Sequence, residues 1–238
     1  MAKSAPNCFT CQTRERTEWC VLEDDELQRI DEAKKIHNII PGEVLFHQGD
    51  SCSGIHCVES GLIGVRKIDA EGNSVLLGLA HPGDTLGYRY LLSNNDYQAS
   101  AEALKPSTVC FIDQSAIRLL LGKNPSLGLR FLRRAAHDLS EAEDKFLQSV
   151  TLSVHARFAH LLLVLKDRYG SASDAEDISI DLPLSRQDMA ALIGIRPETM
   201  SRTIKQFEKE GLAQFSGRRV HIPHLDKLMD ALESDHVI

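Results

Sequence analysis

From Pro41 to about Asp113 the apolar residues come in short stretches: Val44–Phe46, Ile55–Val58, Leu62–Val65, Val75–Leu79 and Val109–Ile112. Glycines at 42, 49, 54, 61, 64, 72, 83 and 87 divide them. Short strands punctuated by Gly turns predict a small barrel or double-sheet roll. Asp69-Ala-Glu-Gly-Asn, between two such stretches, predicts a hairpin loop.

Residues 125–149 change to a helical period. Leu132, Ala135, Leu139, Ala142 and Phe146 recur at spacings of 3, 4, 3 and 4, the pattern of a coiled-coil seam. Arg133, Arg134, Asp138, Glu141, Glu143 and Asp144 fill the other faces. The seam predicts a dimerisation helix about a two-fold axis. The alternative is one amphipathic helix packed on its own domain. Val154–Tyr169 predicts a further helix, and the polar stretch from Gly170 to Asp177 a loop.

The segment from Leu184 to Leu212 is the most informative. Ser185 reads as the N-cap of a short helix that turns Met189, Ala190 and Ile193 inward. Gly194 supplies a positive φ for a sharp exit, and Pro197 starts a second helix, where its missing N–H costs nothing. Met200, Ile204 and Phe207 form that helix's buried face, with Glu198, Ser201, Arg202 and Lys205 on the opposite one. This is the pattern of a helix-turn-helix, whose second helix enters the major groove. Leu212–Phe215, Ser216-Gly217 and Arg218–Ile222 then predict a hairpin wing. The candidate DNA-contacting residues are Ser185, Arg186, Arg196, Glu198, Thr199, Ser201, Arg202, Lys205 and Arg219.

Charge supports that placement. The 238-residue chain carries −7 overall, yet residues 182–224 hold seven basic against four acidic side chains, a local +3. Patches rather than totals decide where a polyanion docks. No run of 18 apolar residues is present and the N-terminus lacks a signal-peptide core, so a cytoplasmic, non-membrane protein is expected. In a reducing compartment the six cysteines are not expected to form structural disulfides. Cys52, Cys57 and Cys110 fall in strand-like sequence and read as buried thiols. Cys8, Cys11 and Cys20 cluster in a polar N-terminal arm. Trp19, the only tryptophan, is expected to pack that arm onto the roll.

With these motifs in place the chain resembles the CRP/FNR family of bacterial regulators from about residue 8 to 225. Pro41-Gly-Glu-Val-Leu-Phe-His-Gln-Gly-Asp resembles the opening of the family's cyclic-nucleotide-binding-type roll. His81-Pro-Gly-Asp-Thr-Leu-Gly is similar to its central Gly-rich turn, and Arg196-Pro-Glu-Thr-Met-Ser-Arg-Thr to its recognition helix. The resemblance implies an α+β fold in four parts. These are a cysteine-bearing arm (1–20), a sensory β-roll (21–122), a dimerisation helix (123–150) and a C-terminal winged helix-turn-helix (151–238). It also implies a homodimeric transcription regulator that binds double-stranded DNA and works with RNA polymerase.

Members that bind cyclic AMP grip its phosphate with an Arg-Ser pair after the Gly-rich turn. Residues 90–104 here contain no basic side chain, so no cyclic nucleotide is expected. Glu198-x-x-Ser201-Arg202 is similar to the FNR branch, which implies a palindrome resembling TTGAT-N4-ATCAA. In that branch an oxygen-sensing [4Fe–4S] cluster is held by three arm cysteines and one from the roll. The resemblance assigns Cys8, Cys11, Cys20 and Cys110 as the four thiolates. The spacing departs from the branch, with a longer gap before Cys20. A structural zinc with the same ligands, a thiol switch, or no N-terminal site remain open. Ligation is expected to tie the arm to the roll and to reach the dimer helix only through roll–helix packing. His56 and His81 leave a haem sensor as a rival. A Cys/His enzyme is a further rival, but no phosphate loop, nucleophile elbow or paired catalytic constellation is present.

Overall fold

The computed structural model describes residues 7–174 and 177–233, so the first six residues of the expected arm and the last five of the chain lie outside the description. The chain divides into two compact units, 1–140 and 141–238, and the division falls within one long helix. The first unit opens with three 3₁₀ turns, Cys8–Thr10, Arg14–Arg16 and Glu18–Val21. There follow α1 (Asp24–Ala33), β1 (Lys35–Ile39), β2 (Val44–Phe46), β3 (Gly54–Ile68), β4 (Ser74–Ala80) and β5 (Thr85–Leu86). The unit continues through α2 (Tyr88–Ser93), β6 (Ser100–Asp113), α3 (Gln114–Lys123) and α4 (Pro125–Thr151), the last running on into the second unit. The sheet runs β1-β6-β3-β4, with β2 paired to β6 and β5 to β3, all antiparallel.

Two strands expected around Gly61 are one. β3 runs unbroken from Gly54 to Ile68, and its register against β6 shifts between Val58 and Ile63. Gly61 has φ +97°, and a Cβ there would meet the Pro106 carbonyl at 2.5 Å and Ser107 Cα at 2.6 Å. The glycine therefore opens a bulge rather than a turn. Ser107 stitches the gap by accepting the Leu62 N–H at 3.0 Å. The expected hairpin at Asp69 is present, with the Asp69 carboxylate accepting the backbone N–H groups of Glu71 and Asn73.

The second unit contains α5 (Val154–Tyr169), β7 (Gly170–Asp174), β8 (Asp177–Asp181), α6 (Arg186–Leu192), α7 (Pro197–Glu210), β9 (Gln214–Ser216), β10 (Arg219–Ile222) and α8 (Leu225–Glu233). Its sheet has the order β7-β8-β10-β9. The segment expected as a loop, Gly170–Asp177, instead forms β7 and the start of β8, with Gly170 opposite Ile180 and Ser171 opposite Ser179. The polar sequence hides the strand because an edge strand is held by backbone pairing. The alternation that buries Ile178 and Ile180 lies on its neighbour. The wing hairpin forms as expected, with Val220 opposite Phe215.

The N-terminal arm is anchored on α4 as well as on the roll. Trp19 is buried and meets Phe131 of α4 edge-on, centroids 5.7 Å apart, while Tyr88 stacks on the same ring at 5.5 Å. Glu18 is buried beside it, accepting from Thr85 Oγ1 at 3.1 Å and from Arg134 of α4 at 3.3 Å. Arg134 also donates to Asp84 at 2.6 Å and to Asp138 at 3.3 Å, and the Tyr88 hydroxyl donates to Asp138 at 2.7 Å. Burial works against the guanidinium charge, but the Asp84, Glu18 and Asp138 carboxylates raise its pKa above the ordinary arginine value. The expectation that the arm reaches the dimer helix only through the roll is therefore corrected, because Glu18 and Trp19 touch it directly.

Phe131→Ala should cost about 3–5 kcal/mol from the cavity it leaves. It should also change the emission of Trp19, the sole tryptophan. Glu18→Ala should cost about 1–3 kcal/mol through the unpaired donors it leaves on Arg134 and Thr85. Limited proteolysis should then cut the arm faster than in the unaltered protein, and an unchanged cleavage rate would refute the anchor.

Candidate nucleic-acid interface and thiol cavity

The helix-turn-helix is assembled by local chemistry. Ser185 caps α6, accepting the Asp188 N–H at 3.1 Å, while the Asp188 carboxylate accepts from the Ser185 hydroxyl at 2.6 Å and its N–H at 2.9 Å. This reciprocal cap satisfies donors that a helix start leaves open. Gly194 turns the chain at φ +67°, and Arg157 donates to the Ile193 carbonyl at 2.7 Å. Met189 and Ala190 are buried as expected, whereas Ile193 is only half-buried at the helix end. α7 begins at Pro197 after the N-cap Arg196.

Met200, Thr203, Ile204 and Phe207 are the buried face of α7, and Phe207 packs on Phe158 at 4.7 Å. Arg196, Glu198, Arg202 and Lys205 are exposed, with Thr199 and Ser201 half-buried. The Ser201 hydroxyl donates to the Pro197 carbonyl at 3.1 Å, folding its small side chain back onto the helix. Arg186 is exposed at the first position of α6. Arg219, opening β10, is also exposed and lies 3.3 Å from the Asp181 carboxylate. The second unit therefore presents a helix face that alternates cation, acceptor and small hydroxyl. Ser185 is committed to its cap.

Along α4 the expected seam is open. Leu132, Leu139 and Phe146 are 64%, 60% and 72% exposed, and Ala142 is exposed too. Ala135 is half-buried against the first unit's core. Leu129, Leu147 and Val150 extend the exposed apolar face. Together these residues form an exposed apolar stripe along α4.

In the first unit a cavity of about 60 Å³ lies between the arm, α1, β3 and β6. Cys8, Cys11, Cys57 and Cys110 line it, with walls that include Trp19, Leu22, Leu27, Ile30 and Ile112. Cys57 and Cys110 face each other across the β3–β6 pairing. Lys34 enters the cavity with its side chain 4% exposed, its ammonium paired with Asp31 and 3.5 Å from the Cys8 sulfur. Burial pushes the Cys8 thiol up to about 12 and Cys110 to about 11, against the opposing pull of Lys34. Burial, then the neighbouring Cys110, raises Cys57 above the usual thiol range. Among the described residues no three His, Cys, Asp or Glu side chains are gathered closely enough to hold a metal ion.

Three of the four expected ligands thus share one cavity, and Cys20 is not among the residues lining it. Cys52 is also elsewhere, donating to the Gly54 carbonyl. By donor type the four thiols would be ligands for a thiolate-held centre, but they are not gathered closely enough here to hold a metal. His56 sits among Phe46, Tyr97 and Phe111, and burial lowers its pKa to about 4. His81 lies elsewhere, its N–H on Asp84. Sequence reasoning missed Cys57 and Lys34 as partners of this cavity, because only the β3–β6 register brings Cys57 to Cys110. For the Glu18–Arg134 contact, the one available signal was the i,i+4 spacing of Arg134 and Asp138.

No helix among the described residues is long and apolar enough to cross a membrane. Residues 156–231 match the Crp-like helix-turn-helix domain family, and residues 36–124 the cyclic nucleotide-binding domain family. The chain is 28% identical over 226 residues to an anaerobic regulatory protein of Haemophilus influenzae, covering 92% of this chain and 86% of that one. It is also 28% identical over 204 residues to the nitrogen fixation regulation protein FixK of Bradyrhizobium diazoefficiens, covering 86% and 84%. The fold matches the structure of FixK2 from Bradyrhizobium japonicum with a TM-score of 0.71 at 23% identity, covering 83% of this chain and 96% of that one. With both halves matched in this order, and a capped helix-turn-helix exposing Arg202 on the C-terminal side of the roll in sequence, the chain belongs to the CRP/FNR family of DNA-binding transcription regulators.

Proposed function

We propose that the chain acts as a homodimer that reads an FNR-like palindrome resembling TTGAT-N4-ATCAA and responds to oxygen, redox state or nitric oxide through a thiolate-held [4Fe–4S] cluster. The observation that carries the DNA half is the face of α7, where Glu198, Arg202 and Lys205 are exposed directly opposite Met200, Ile204 and Phe207. An exposed arginine reads guanine O6 and N7 bidentately, and an exposed glutamate accepts from a cytosine amine. Ser201, small and bonded back to its own helix, leaves room for a thymine methyl. The open apolar face of α4 supports a two-fold partner, and two copies of α7 about that axis suit a palindrome. RNA polymerase is the partner this reading implies.

For the signal, Cys8, Cys11 and Cys110 would supply three of the cluster's thiolates, and the apolar walls would keep water from them. When bound, such a cluster supplies an oxidisable centre whose integrity depends on oxygen or nitric oxide. The chain's own part is to hold the arm: Glu18 and Trp19 transmit its position to α4. The Haemophilus relative's designation as an anaerobic regulator favours this signal. Cyclic nucleotide is not part of the reading, since residues 90–104 carry no cation to meet its phosphate.

Arg202→Ala should weaken specific binding by about 1–3 kcal/mol and relax discrimination at one base pair. Lys205→Ala should weaken all sequences about equally and lower the salt slope by about 1. Equal loss on specific and scrambled duplexes for Arg202→Ala would remove it from base reading. Leu139→Glu puts like charges into an apolar seam, so sedimentation should show a monomer that no longer binds the palindrome. A persistent dimer would mean that α4 associates through another face.

A further inference from the structure

We infer that Arg157 of α5 is a positioning residue for base recognition: its hold on the turn between α6 and α7 sets the angle at which the first half of α7 meets a duplex. The inference rests on the reading of α7 as the helix that contacts bases. The contact lies wholly within the second unit.

The exit from α6 is closed by its own backbone. Ile193, Gly194 and Ile195 donate their N–H groups to the carbonyls of Met189, Ala191 and Ala190 at 3.3, 3.4 and 3.0 Å. The Ile193 carbonyl, at the C-cap of α6, is met instead by a side chain, and Arg157 Nη1 donates to it at 2.7 Å. A cation there also answers the negative end of the helix. The left-handed Gly194 follows at φ +67°, and Arg196 is the N-cap of α7. Arg157 therefore grips the chain immediately before the recognition helix begins.

α5 thus steers α7 from two places of unlike character. Phe158, the neighbour of Arg157, meets Phe207 in the last half of α7, ring centroids 4.7 Å apart. Apolar rings in contact tolerate a small rotation, whereas a hydrogen bond to a carbonyl fixes distance and direction. Loss of Arg157 leaves the end of α7 seated on Phe158 and frees its beginning, where Glu198 and Arg202 are exposed. The burial of the guanidinium points the same way. Its Nε is buried without a hydrogen-bond partner among the described residues. An apolar side chain would fill that space without an unpaired donor, so what the guanidinium contributes is the carbonyl contact.

The test is competition binding of the full chain to a TTGAT-N4-ATCAA duplex and to a scrambled one. Arg157→Met keeps the apolar stem and removes the donor. It should lower the preference for the palindrome about tenfold, the effect of one misread base pair. Binding to the scrambled duplex and the slope against salt should stay as in the unaltered protein, because no phosphate contact changes. Arg157→Lys, which retains a donor, should restore most of the preference. In a Glu198→Ala background Arg157→Met should cost little more, since the contact it positions is already gone. Thermal melting reports the fold of each variant, and Arg157→Gln replaces Arg157→Met in every comparison should the latter not fold. Unchanged preference, equal loss on both duplexes, an Arg157→Lys variant as poor as Arg157→Met, or full additivity with Glu198→Ala would each overturn the inference and leave the base reading of α7 intact. If the unaltered protein shows no preference for the palindrome, that base reading falls and this assignment with it.

Discussion

Arg134 ties together three parts of the chain. Its fork meets Glu18 from the arm, Asp84 from the turn before β5, and Asp138 one helical turn along its own helix. A guanidinium holds such a geometry because its donors are planar and directional. Removing any one carboxylate leaves a partly buried donor without that partner. Arg134 and Asp138 flank Ala135 and Leu139, so a shift in this network turns the apolar face that another subunit would meet.

The thiol cavity has a related logic of charge. Burial raises the Cys8 and Cys110 thiols more strongly than Lys34 lowers them. Four free thiolates against one ammonium already paired with Asp31 would be an unstable arrangement in apolar surroundings. Only a cation bound among them offsets that charge, and its binding must expel protons. Under the proposed cluster reading the cavity would be either protonated or metallated, with little between.

What was legible in the sequence follows from how local each cause is. The Ser185 cap, Gly194 turn and Pro197 start lie within a dozen residues, so the helix-turn-helix could be read directly. The seam of α4 likewise repeats within one helix. β7 was missed because its pairing partner, not its own composition, makes it a strand. Gly61 was taken as a turn because nothing local announces that Pro106 and Ser107 will stand across from it. Cys57 was read as inert for the same reason: its meeting with Cys110 is a matter of register between strands more than fifty residues apart. The burial of Glu18 has no local signal, because its partner Arg134 comes from the far end of the unit.

The Arg219–Asp181 pair at the edge of the wing bears on how tightly the protein can hold a polyanion. An arginine that is free in solution meets a phosphate with only condensed counterions to displace, and the released ions drive association. To meet a phosphate, Arg219 would leave an exposed carboxylate 3.3 Å away. The wing would then return less entropy on docking than its count of basic side chains suggests. Affinity resting on fewer released ions tolerates ionic strength better, and it leaves discrimination between duplexes to the bases beneath α7.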